Sequence, residues 1–399
     1  MKLIKSDVKN NVLNSMMNIL DQRREEIIAA NKKDLEAFTK DDQAMYDRLI
    51  VDEKKVDGMI QSVKEVMDQE DPVGKVIEHR KLDTGLDITN KTAPFGTIMI
   101  IYESRPDVTI EAAVLAFKAN NKIYLKGGKE AIESNKILEK CWHDALEENG
   151  LGKEWIKLLH LNRTETQDFL KNPPEQLDLI VPRGGERLIA FVKEHATGAV
   201  LVSGRGNNFL YVSKNADFEI AKKVMLNAKI DKISGCNALD KVLVDKNIEN
   251  FESKLKELQD LFKDNQVKML VDDEVSKVLT NEEKIPNEET WYEEFLAMKI
   301  VIGASDGLDD TIEKINHYSG GHSASIITKD KDEALTFMEQ VDSAAVYHNA
   351  STRFTDGGQM GVGAELAIST DKLHHRGPLG LKQLVTNKYY VLGDGHVRV

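Results

Sequence analysis

The sequence predicts an α/β protein with two parallel-sheet domains and a small β-hairpin element. From residue 97 onward strand-like and helix-like segments alternate, and this alternation resumes after Cys236. Such alternation indicates βαβ crossovers and mostly parallel sheets with helices on both faces. Between residues 76 and 93, short apolar runs flank the turn signal DTG, which separately predicts the hairpin.

The first 69 residues show the periodicity of amphipathic helices. We predict two long helices, at 6–38 and 42–69, with Ser6 and Asp41 as their N-caps. The apolar residues that recur at helical spacing are Leu13, Met16, Met17 and Leu20 in the first helix, and Val56, Met59, Ile60, Val63 and Met67 in the second.

Length and composition narrow the class of protein. A chain of 399 residues with 41% apolar residues can form two or three domains with substantial cores. Two cysteines, Cys141 and Cys236, form neither a disulfide framework nor a CxxC motif, so we expect a reducing compartment, the cytoplasm. The net charge of −13 argues against nucleic acid as a partner. We expect no membrane segment, because no run approaches the roughly 18 apolar residues that span a bilayer.

Two predicted strands end in paired glycines beside cationic residues, at 126–129 (KGGK) and 183–187 (RGGER). A glycine turn that leads into a helix presents backbone N–H groups and the positive end of a helix dipole, both of which favour phosphate. Each motif alone is more typical of an ordinary tight turn between a strand and a helix. Because the two occur on neighbouring units, together they favour a dinucleotide site, although the GxGxxG fingerprint is absent.

Two further stretches contain candidate reactive residues. Ser104 and Arg105 follow a predicted buried strand, where a guanidinium can hold an acyl phosphate or form an ion pair with Glu103 or Asp107. Cys236 lies on a tight connection, as either a small packed side chain or a reactive thiol. We expect no metal site, since His374 and His375 lack a second pair of ligands at suitable spacing.

Six motifs that extend along nearly the whole chain bear on the roles of the glycine turns, Arg105 and Cys236. Together they resemble the gamma-glutamyl phosphate reductase family of the aldehyde dehydrogenase superfamily. The motifs are IYESRPDVTIEAA, LKGGKEAIESN, DLIVPRGG, SGCNALDKVLV, NASTRFTDGG and GAELAISTDKLHHRGPLGL.

The resemblance implies an aldehyde-dehydrogenase-like fold and a division of the chain. Residues 1–232 would be the NADP-binding domain and residues 233–365 the catalytic domain. Residues 366–399 would return to the cofactor domain. Within this arrangement the hairpin 76–93 and a C-terminal strand would form an oligomerisation element, so the protein is expected to be a homo-oligomer.

The resemblance also implies a reaction. The family reduces L-glutamyl 5-phosphate with NADPH to L-glutamate 5-semialdehyde and phosphate, through a cysteinyl thioester, in proline biosynthesis. Cys236 would be the nucleophile, and Ser104 would occupy the position at which aldehyde dehydrogenases place an oxyanion-binding Asn. Ser203 would replace their general-base Glu, which a reductase does not need. The residues implied for the substrate are Arg105, Arg353 and Lys372, with Arg105 on the phosphate.

The cofactor implied by the resemblance is NADPH. Lys129 stands where NAD-preferring relatives carry an acidic residue and would bind the 2′-phosphate, while Lys126 would bind near the adenosine ribose. Glu294 matches a glutamate that reaches the nicotinamide ribose in the superfamily. The remaining implied cofactor residues are those of the two glycine turns, namely Gly127, Gly128, Arg183, Gly184 and Gly185.

Two other functions remain open at this stage. One is an acylating aldehyde dehydrogenase that uses coenzyme A or another acyl phosphate, and the other is a weakly active homologue that serves as a scaffold. Glutamate 5-kinase is the candidate protein partner. The chain departs from the family pattern at ISGCNA (233–238), at the strand 201–212 and at Met360, which bears on substrate identity.

Overall fold

The computed structural model describes residues 2–40 and 42–398. The helices of these residues are α1 (Ser6–Gln22), α2 (Arg24–Glu36), α3 (Gln43–Leu49), α4 (Glu53–Asp68), α5 (Asp107–Lys118), α6 (Ile132–Glu148), α7 (Arg163–Lys171), α8 (Glu186–His195), α9 (Phe218–Ile230), α10 (Phe251–Asp264), α11 (Glu289–Tyr292), α12 (Leu308–Tyr318) and α13 (Lys331–Gln340).

The strands are β1 (Val76–Lys81), β2 (Asp87–Pro94), β3 (Thr97–Tyr102), β4 (Lys122–Lys126), β5 (Ile156–Leu158), β6 (Leu179–Arg183), β7 (Asn208–Val212), β8 (Leu239–Asp245), β9 (Lys268–Val271), β10 (Glu283–Lys284), β11 (Lys299–Ser305), β12 (Ser323–Ile327), β13 (Ala345–His348), β14 (Glu365–Ser369), β15 (Gly377–Gly380) and β16 (Val385–Leu392). No helix among the described residues is long and apolar enough to cross a lipid bilayer.

The first compact unit contains the residues up to 202, with 361–367 and the residues from 379 onward. Its main sheet has four parallel strands in the order β5-β4-β3-β6. Every residue of β3 is buried, as expected for the central strand of a parallel sheet that is covered on both faces. The core on one face joins β3 and β4 to α1, α4, α5 and α6.

Each of the two long N-terminal helices predicted from the sequence is in fact two helices. The first is interrupted at Arg23, and the second between α3 and α4. The buried amide of Asn31 explains the second break, because it donates to Leu49 O and accepts from Val51 N, both at 2.8 Å. Asp52 then caps α4 by accepting from Lys55 N. Ser6 is the first helical residue rather than a cap, and the predicted cap Asp41 lies outside the described residues.

The predicted hairpin is present and contains a third strand. β1 and β2 pair antiparallel, and β16 pairs antiparallel along the other edge of β2. The sheet order is therefore β1-β2-β16, which leaves β1 and β16 as edge strands. Large apolar side chains are exposed on both edge strands, namely Val76, Ile77, Tyr389, Tyr390, Val391 and Leu392.

The second compact unit contains residues 203–360 and 368–378. Its seven strands are all parallel, in the order β10-β9-β11-β8-β7-β12-β13. Alternate residues of β7 belong to separate apolar clusters, Leu210 and Val212 to one and Phe209 and Tyr211 to another, which places a core on each face. The predicted α/β class, with two parallel sheets and a hairpin element, is confirmed.

The unit boundaries differ from the expected domain limits. The resemblance places residues 203–232 in the first domain, whereas β7 pairs with β8 and β12 and so belongs with α9 to the second unit. The C-terminal segment also divides, since residues 368–378 belong to the second unit and the chain from 379 onward to the first. Sequence alternation could not locate this boundary, because βα units continue across it without a change of pattern.

Candidate active site

In the first unit the carboxyl ends of β3, β4 and β6 form one edge of the parallel sheet. Two glycines bring the turns that follow these strands into contact. A β-carbon on Gly128 would lie 3.5 Å from Ser104 N, and one on Gly184 would lie 2.9 Å from Glu103 Cδ. The predicted residues at 104–105, 126–129 and 183–185 are therefore brought together at this edge.

The turn after β4 packs closely against the side chains of Asn135 and Tyr102. A β-carbon on Gly127 would overlap the side-chain amide of Asn135 and lie 3.1 Å from the Tyr102 ring, so this position accepts only glycine without rearrangement. Lys126 donates to Gly127 O at 3.1 Å, and burial lowers the pKa of its ammonium. Lys129 is exposed at the start of the short turn that leads into α6.

The turn after β6 leads into the N-terminus of α8, at Gly185. Arg183 ends the strand. Its guanidinium has a lowered pKa, mainly because it is buried and also because the positive charge of Arg105 lies nearby. Its Nη1 is buried and has no hydrogen-bond partner within the described part of the chain. A helix N-terminus, small residues and an unsatisfied guanidinium N–H together fit an anionic group, such as a phosphate of a dinucleotide.

The turn after β3 holds a buried carboxylate between two cations. Asp107 Oδ2 lies 2.7 Å from Lys55 Nζ and 3.2 Å from Arg105 Nη2. Burial alone would favour the protonated acid, but Arg105 and Lys55 lower the pKa of Asp107 to about 2. The ion pair with Asp107, one of the two roles open to Arg105 from the sequence, is therefore present. Beside it Ser104 is 2% exposed, and its hydroxyl has no hydrogen-bond partner among the described residues.

In the second unit Cys236 lies on the turn that precedes β8, with a partly exposed side chain. The buried amide nitrogen of Asn208 lies 2.8 Å from Cys236 O and 2.7 Å from Ala238 O. On the other side, the amide of Asn237 donates to Thr355 O at 2.9 Å, and Thr352 Oγ1 donates to Asn237 O at 2.8 Å. The backbone on both sides of the thiol is therefore fixed by side-chain hydrogen bonds.

Two predicted charged residues lie beside this turn. Arg353 Nη1 would be 2.8 Å from a β-carbon on Gly235, and its Nε donates to Asp231 at 3.0 Å. A β-carbon on Gly206 would overlap Cys236 O and lie 2.6 Å from Glu294 Oε1. The structure therefore brings Arg353 and Glu294 close to the turn that carries Cys236.

Lys372 belongs to a different charged group. Its ammonium lies 2.6 Å from Asp342 Oδ2, and Arg376 Nη1 lies 2.6 Å from Asp342 Oδ1. The hydrogen bond from Lys372 and, to a smaller extent, the one from Arg376 lower the pKa of Asp342. The side chain of Lys372 is 68% exposed, so it can exchange this partner for a ligand more readily than a buried lysine could.

Sequence reasoning missed the residues that hold these groups in place. Asn208 and Asn237 bind backbone carbonyls around Cys236, and Gly206 allows the close approach of Glu294. The only local signal was a polar Asn pair, Asn207 and Asn208, at the start of an apolar strand. Polar residues at such positions are typical of caps and loop anchors.

Comparison with known proteins decides the family. The chain is 39% identical over 399 residues to the gamma-glutamyl phosphate reductase of Dictyoglomus turgidum, covering 99% of this chain and 95% of that relative. The crystal structure of the gamma-glutamyl phosphate reductase of Thermotoga maritima superposes with a TM-score of 0.94 at 38% identity, covering 99% of this chain and 95% of that one. The chain belongs to the gamma-glutamyl phosphate reductase family. No protein-family model matches it.

Membership in the gamma-glutamyl phosphate reductase family makes this protein an oxidoreductase and implies a nicotinamide cofactor. A more distant structure, an acetylating aldehyde dehydrogenase from Geobacillus thermoglucosidasius, matches with a TM-score of 0.68 at 16% identity, over 99% of this chain and 94% of that one. This likeness shows a shared aldehyde-dehydrogenase-like fold.

Proposed function

We propose that the protein reduces L-glutamyl 5-phosphate to L-glutamate 5-semialdehyde with NADPH, as a step of proline biosynthesis. The observation that carries this proposal is the Cys236 turn. Asn208 and Asn237 hold the backbone on both sides of a partly exposed thiol, next to Arg353 and Glu294. Relatives that are about 40% identical over 99% of this chain are named for this activity.

The reaction begins with the thiolate of Cys236. The sulfur attacks the acyl carbon of the substrate, a C–S bond forms, and the C–O bond to phosphate breaks so that inorganic phosphate leaves. Bound NADPH would supply the hydride that reduces the resulting thioester to an aldehyde. The thiolate departs as the aldehyde forms and is regenerated for the next cycle. No water attacks the thioester, so this reaction requires no general base. Ser203 can therefore stand where aldehyde dehydrogenases carry a general-base Glu.

Each attack on the acyl carbon places negative charge on its oxygen, and hydrogen-bond donors must stabilise that charge. We assign the backbone N–H of Cys236 and the hydroxyl of Ser104 to this role. Support for Ser104 comes from its buried hydroxyl, which has no hydrogen-bond partner among the described residues. A hydroxyl without a competing acceptor is able to donate to an oxyanion.

Cationic residues provide the recognition of the substrate. We assign Arg105 to the phosphate, because a guanidinium binds two phosphate oxygens at once and Asp107 holds this guanidinium at 3.2 Å. Arg353 and Lys372 are assigned to the amino-acid end of the substrate, which carries a carboxylate. For Lys372 this assignment requires exchange of its ion pair with Asp342.

The glycine turns of the first unit provide the cofactor site. We assign Gly127, Gly128, Gly184, Gly185 and the guanidinium of Arg183 to the dinucleotide phosphates, for which the unsatisfied Nη1 and the α8 N-terminus are suited. Lys129 would bind the 2′-phosphate that distinguishes NADPH from NADH, and Lys126 would bind near the adenosine ribose. Glu294 would bind the nicotinamide ribose.

We also propose that the protein is a homo-oligomer. The edge strands β1 and β16 expose large apolar side chains together with unpaired backbone groups, a combination that favours pairing with a second chain. Under this proposal the first unit binds the cofactor, the second carries the nucleophile, and the three-stranded sheet is the oligomerisation element. Glutamate 5-kinase, the enzyme that would supply the acyl phosphate, remains the candidate protein partner.

The reverse reaction tests the proposal against its alternative, an acylating dehydrogenase that uses coenzyme A. Glutamate semialdehyde, supplied as pyrroline-5-carboxylate, is mixed with enzyme and NADP⁺, and the absorbance of NADPH is followed. We expect reduction of NADP⁺ that requires phosphate. Reduction that requires coenzyme A instead would favour the alternative. No reduction with either acceptor would contradict both activities and favour a weakly active homologue that serves as a scaffold.

A further inference from the structure

The loop that carries Glu294 is fixed by side chains rather than by regular secondary structure. Residues 293–296 form the first part of the connection from α11 to β11, and they lie outside helices and strands. Lys241 Nζ donates to the carbonyl oxygen of Glu293 at 2.8 Å, and Asp240 Oδ2 accepts from the backbone N–H of Phe295 at 2.9 Å. The peptide groups on both sides of Glu294 are therefore bound by two consecutive residues of β8.

The groups that form this clamp, Asp240 and Lys241, are both buried. Asp240 Oδ1 also binds the buried ammonium of Lys229, from α9, at 2.9 Å. The ammonium of Lys241 lies 3.7 Å from the centre of the Phe295 ring, and Lys299 of β11 lies 4.1 Å from the same centre. Lys299 also pairs with Glu293 at 3.5 Å. These contacts fix the path of the loop from three secondary-structure elements.

Stability alone is a weak reason for such an arrangement. Burying charged groups costs free energy, and well-packed apolar residues often replace buried ion pairs without loss of stability. The cost is evident at Lys241, where burial lowers the pKa to about 7. A buried polar cluster of this kind more often serves to define one conformation, here that of the loop 293–296.

The defined conformation matters because of where the Glu294 carboxylate lies. Its Oε1 is 2.6 Å from the position of a β-carbon on Gly206, and that β-carbon would overlap the carbonyl oxygen of Cys236. Cys236, three residues before β8, and the clamp at the start of β8 are thus parts of one continuous segment. A shift of β8 would move the nucleophile and Glu294 together.

We propose that Asp240 and Lys241 are positioning residues, which hold Glu294 beside the Cys236 turn so that its carboxylate is preset for the nicotinamide ribose. This inference rests on the proposed role of Glu294. Neither Asp240 nor Lys241 touches substrate or cofactor in this account. Their effect is on the affinity for the cofactor, because a loop that must first be ordered binds its ligand more weakly.

The test is a double-mutant cycle between Lys241→Met and Glu294→Gln, with the KM for NADPH, kcat and thermal unfolding measured for each variant. We expect each single variant to raise the KM for NADPH about tenfold, which is the usual size for the loss of a hydrogen bond to a charged group. We expect kcat at saturating NADPH to change much less. The double variant should be no worse than Glu294→Gln alone, since both changes remove the same interaction.

Two further variants separate positioning from a loss of folding. Asp240→Asn keeps an acceptor for Phe295 N and should have a KM near that of the wild-type protein, whereas Asp240→Leu removes it and should match Lys241→Met. The matched control is Lys314→Met, because Lys314 also donates to a backbone carbonyl in this unit, that of Ala304, at 3.1 Å. It should leave the KM for NADPH unchanged.

The outcomes distinguish the two proposals. If Glu294→Gln raises the KM but Lys241→Met does not, or if their effects multiply in the double variant, the positioning role is overturned while the role of Glu294 stands. If Glu294→Gln leaves the KM for NADPH unchanged, the proposed role of Glu294 fails, and the positioning role fails with it.

Discussion

The side-chain amide of Asn208 lies 2.8 Å from the carbonyl oxygen of Cys236 and ties the peptide of this residue, the proposed nucleophile, to the start of β7. The same nitrogen lies 2.7 Å from Ala238 O. One buried side chain therefore fixes the turn both at Cys236 and two residues beyond it. The turn itself lies outside regular secondary structure. The neighbouring strand β7 anchors it through this side chain.

The first prediction concerns this anchor. Asn208→Asp replaces the amide N–H donors by a carboxylate that repels the carbonyl oxygens, so the turn should move. We expect kcat to fall about 100-fold, the loss that an Å-scale misplacement of a reacting group can cause. The rate at which iodoacetamide alkylates Cys236 should change as well. As the control, Asn316→Asp alters an exposed amide that donates to Gln340 O, and it should leave both rates unchanged. A normal kcat in Asn208→Asp would contradict the assigned role.

The second prediction concerns the contribution of ionised Asp107 to the stability of the folded protein at low pH. Its pKa of about 2 lies below the ordinary value of roughly 3.9, so its ionised form stabilises the folded protein. This contribution is complete above about pH 5 and is lost progressively as the pH falls through about 2. Asp107→Asn should therefore lower the free energy of unfolding about twice as much at pH 7 as at pH 3, as measured by urea denaturation. An equal loss at both pH values would show that the charge of Asp107 is not the cause.

The third prediction concerns the choice of cofactor. Lys129→Glu places a carboxylate where we assign the 2′-phosphate, so kcat/KM should fall for NADPH and be retained for NADH. The matched control is Lys136→Glu, the same charge change at an exposed lysine of α6 that pairs with Glu133 at 2.8 Å. Steady-state kinetics with both cofactors decide the question. An unchanged ratio of the two kcat/KM values in Lys129→Glu would remove Lys129 from the cofactor site.

The fourth prediction concerns assembly. Val391 on the edge strand β16 is 54% exposed, and we propose that a second chain covers it. Val391→Asp should lower the mass of the particle measured by light scattering, because a charge in an apolar interface opposes association. Val397→Asp, an equally drastic change at an exposed residue beyond β16, is the control. A particle mass that Val391→Asp leaves unaltered would exclude β16 from the interface.

Sequence reasoning predicted the class of fold and the residues with distinctive chemistry. The Gly-Gly turns at 127–128 and 184–185 were predicted to lie at neighbouring strand ends, and they follow β4 and β6 of one parallel sheet. The hairpin was predictable from its DTG turn, although its partner β16 lies almost 300 residues further along the chain. Such long-range pairing leaves little local signal.

The supporting residues could not be predicted, because their roles depend on contacts between distant segments. Asn31 breaks the second N-terminal helix by binding residues 18 and 20 positions away. Asp240 and Lys241 look like ordinary surface charges at the start of a strand, and only the fold buries them against the loop 293–296. Local patterns indicate which residues can react, while the packing of the whole unit decides which residues hold them.

The most direct test of the account is to look for the thioester on Cys236. Enzyme incubated with L-glutamyl 5-phosphate but without NADPH should retain a glutamyl group on the peptide that contains Cys236, detected by mass spectrometry and released by hydroxylamine. Buried Cys141, the other cysteine of the chain, is the internal control and should stay unmodified. Addition of NADPH should discharge the adduct as glutamate semialdehyde. Turnover in a Cys236→Ala variant, or an adduct elsewhere that NADPH discharges, would contradict the central claim.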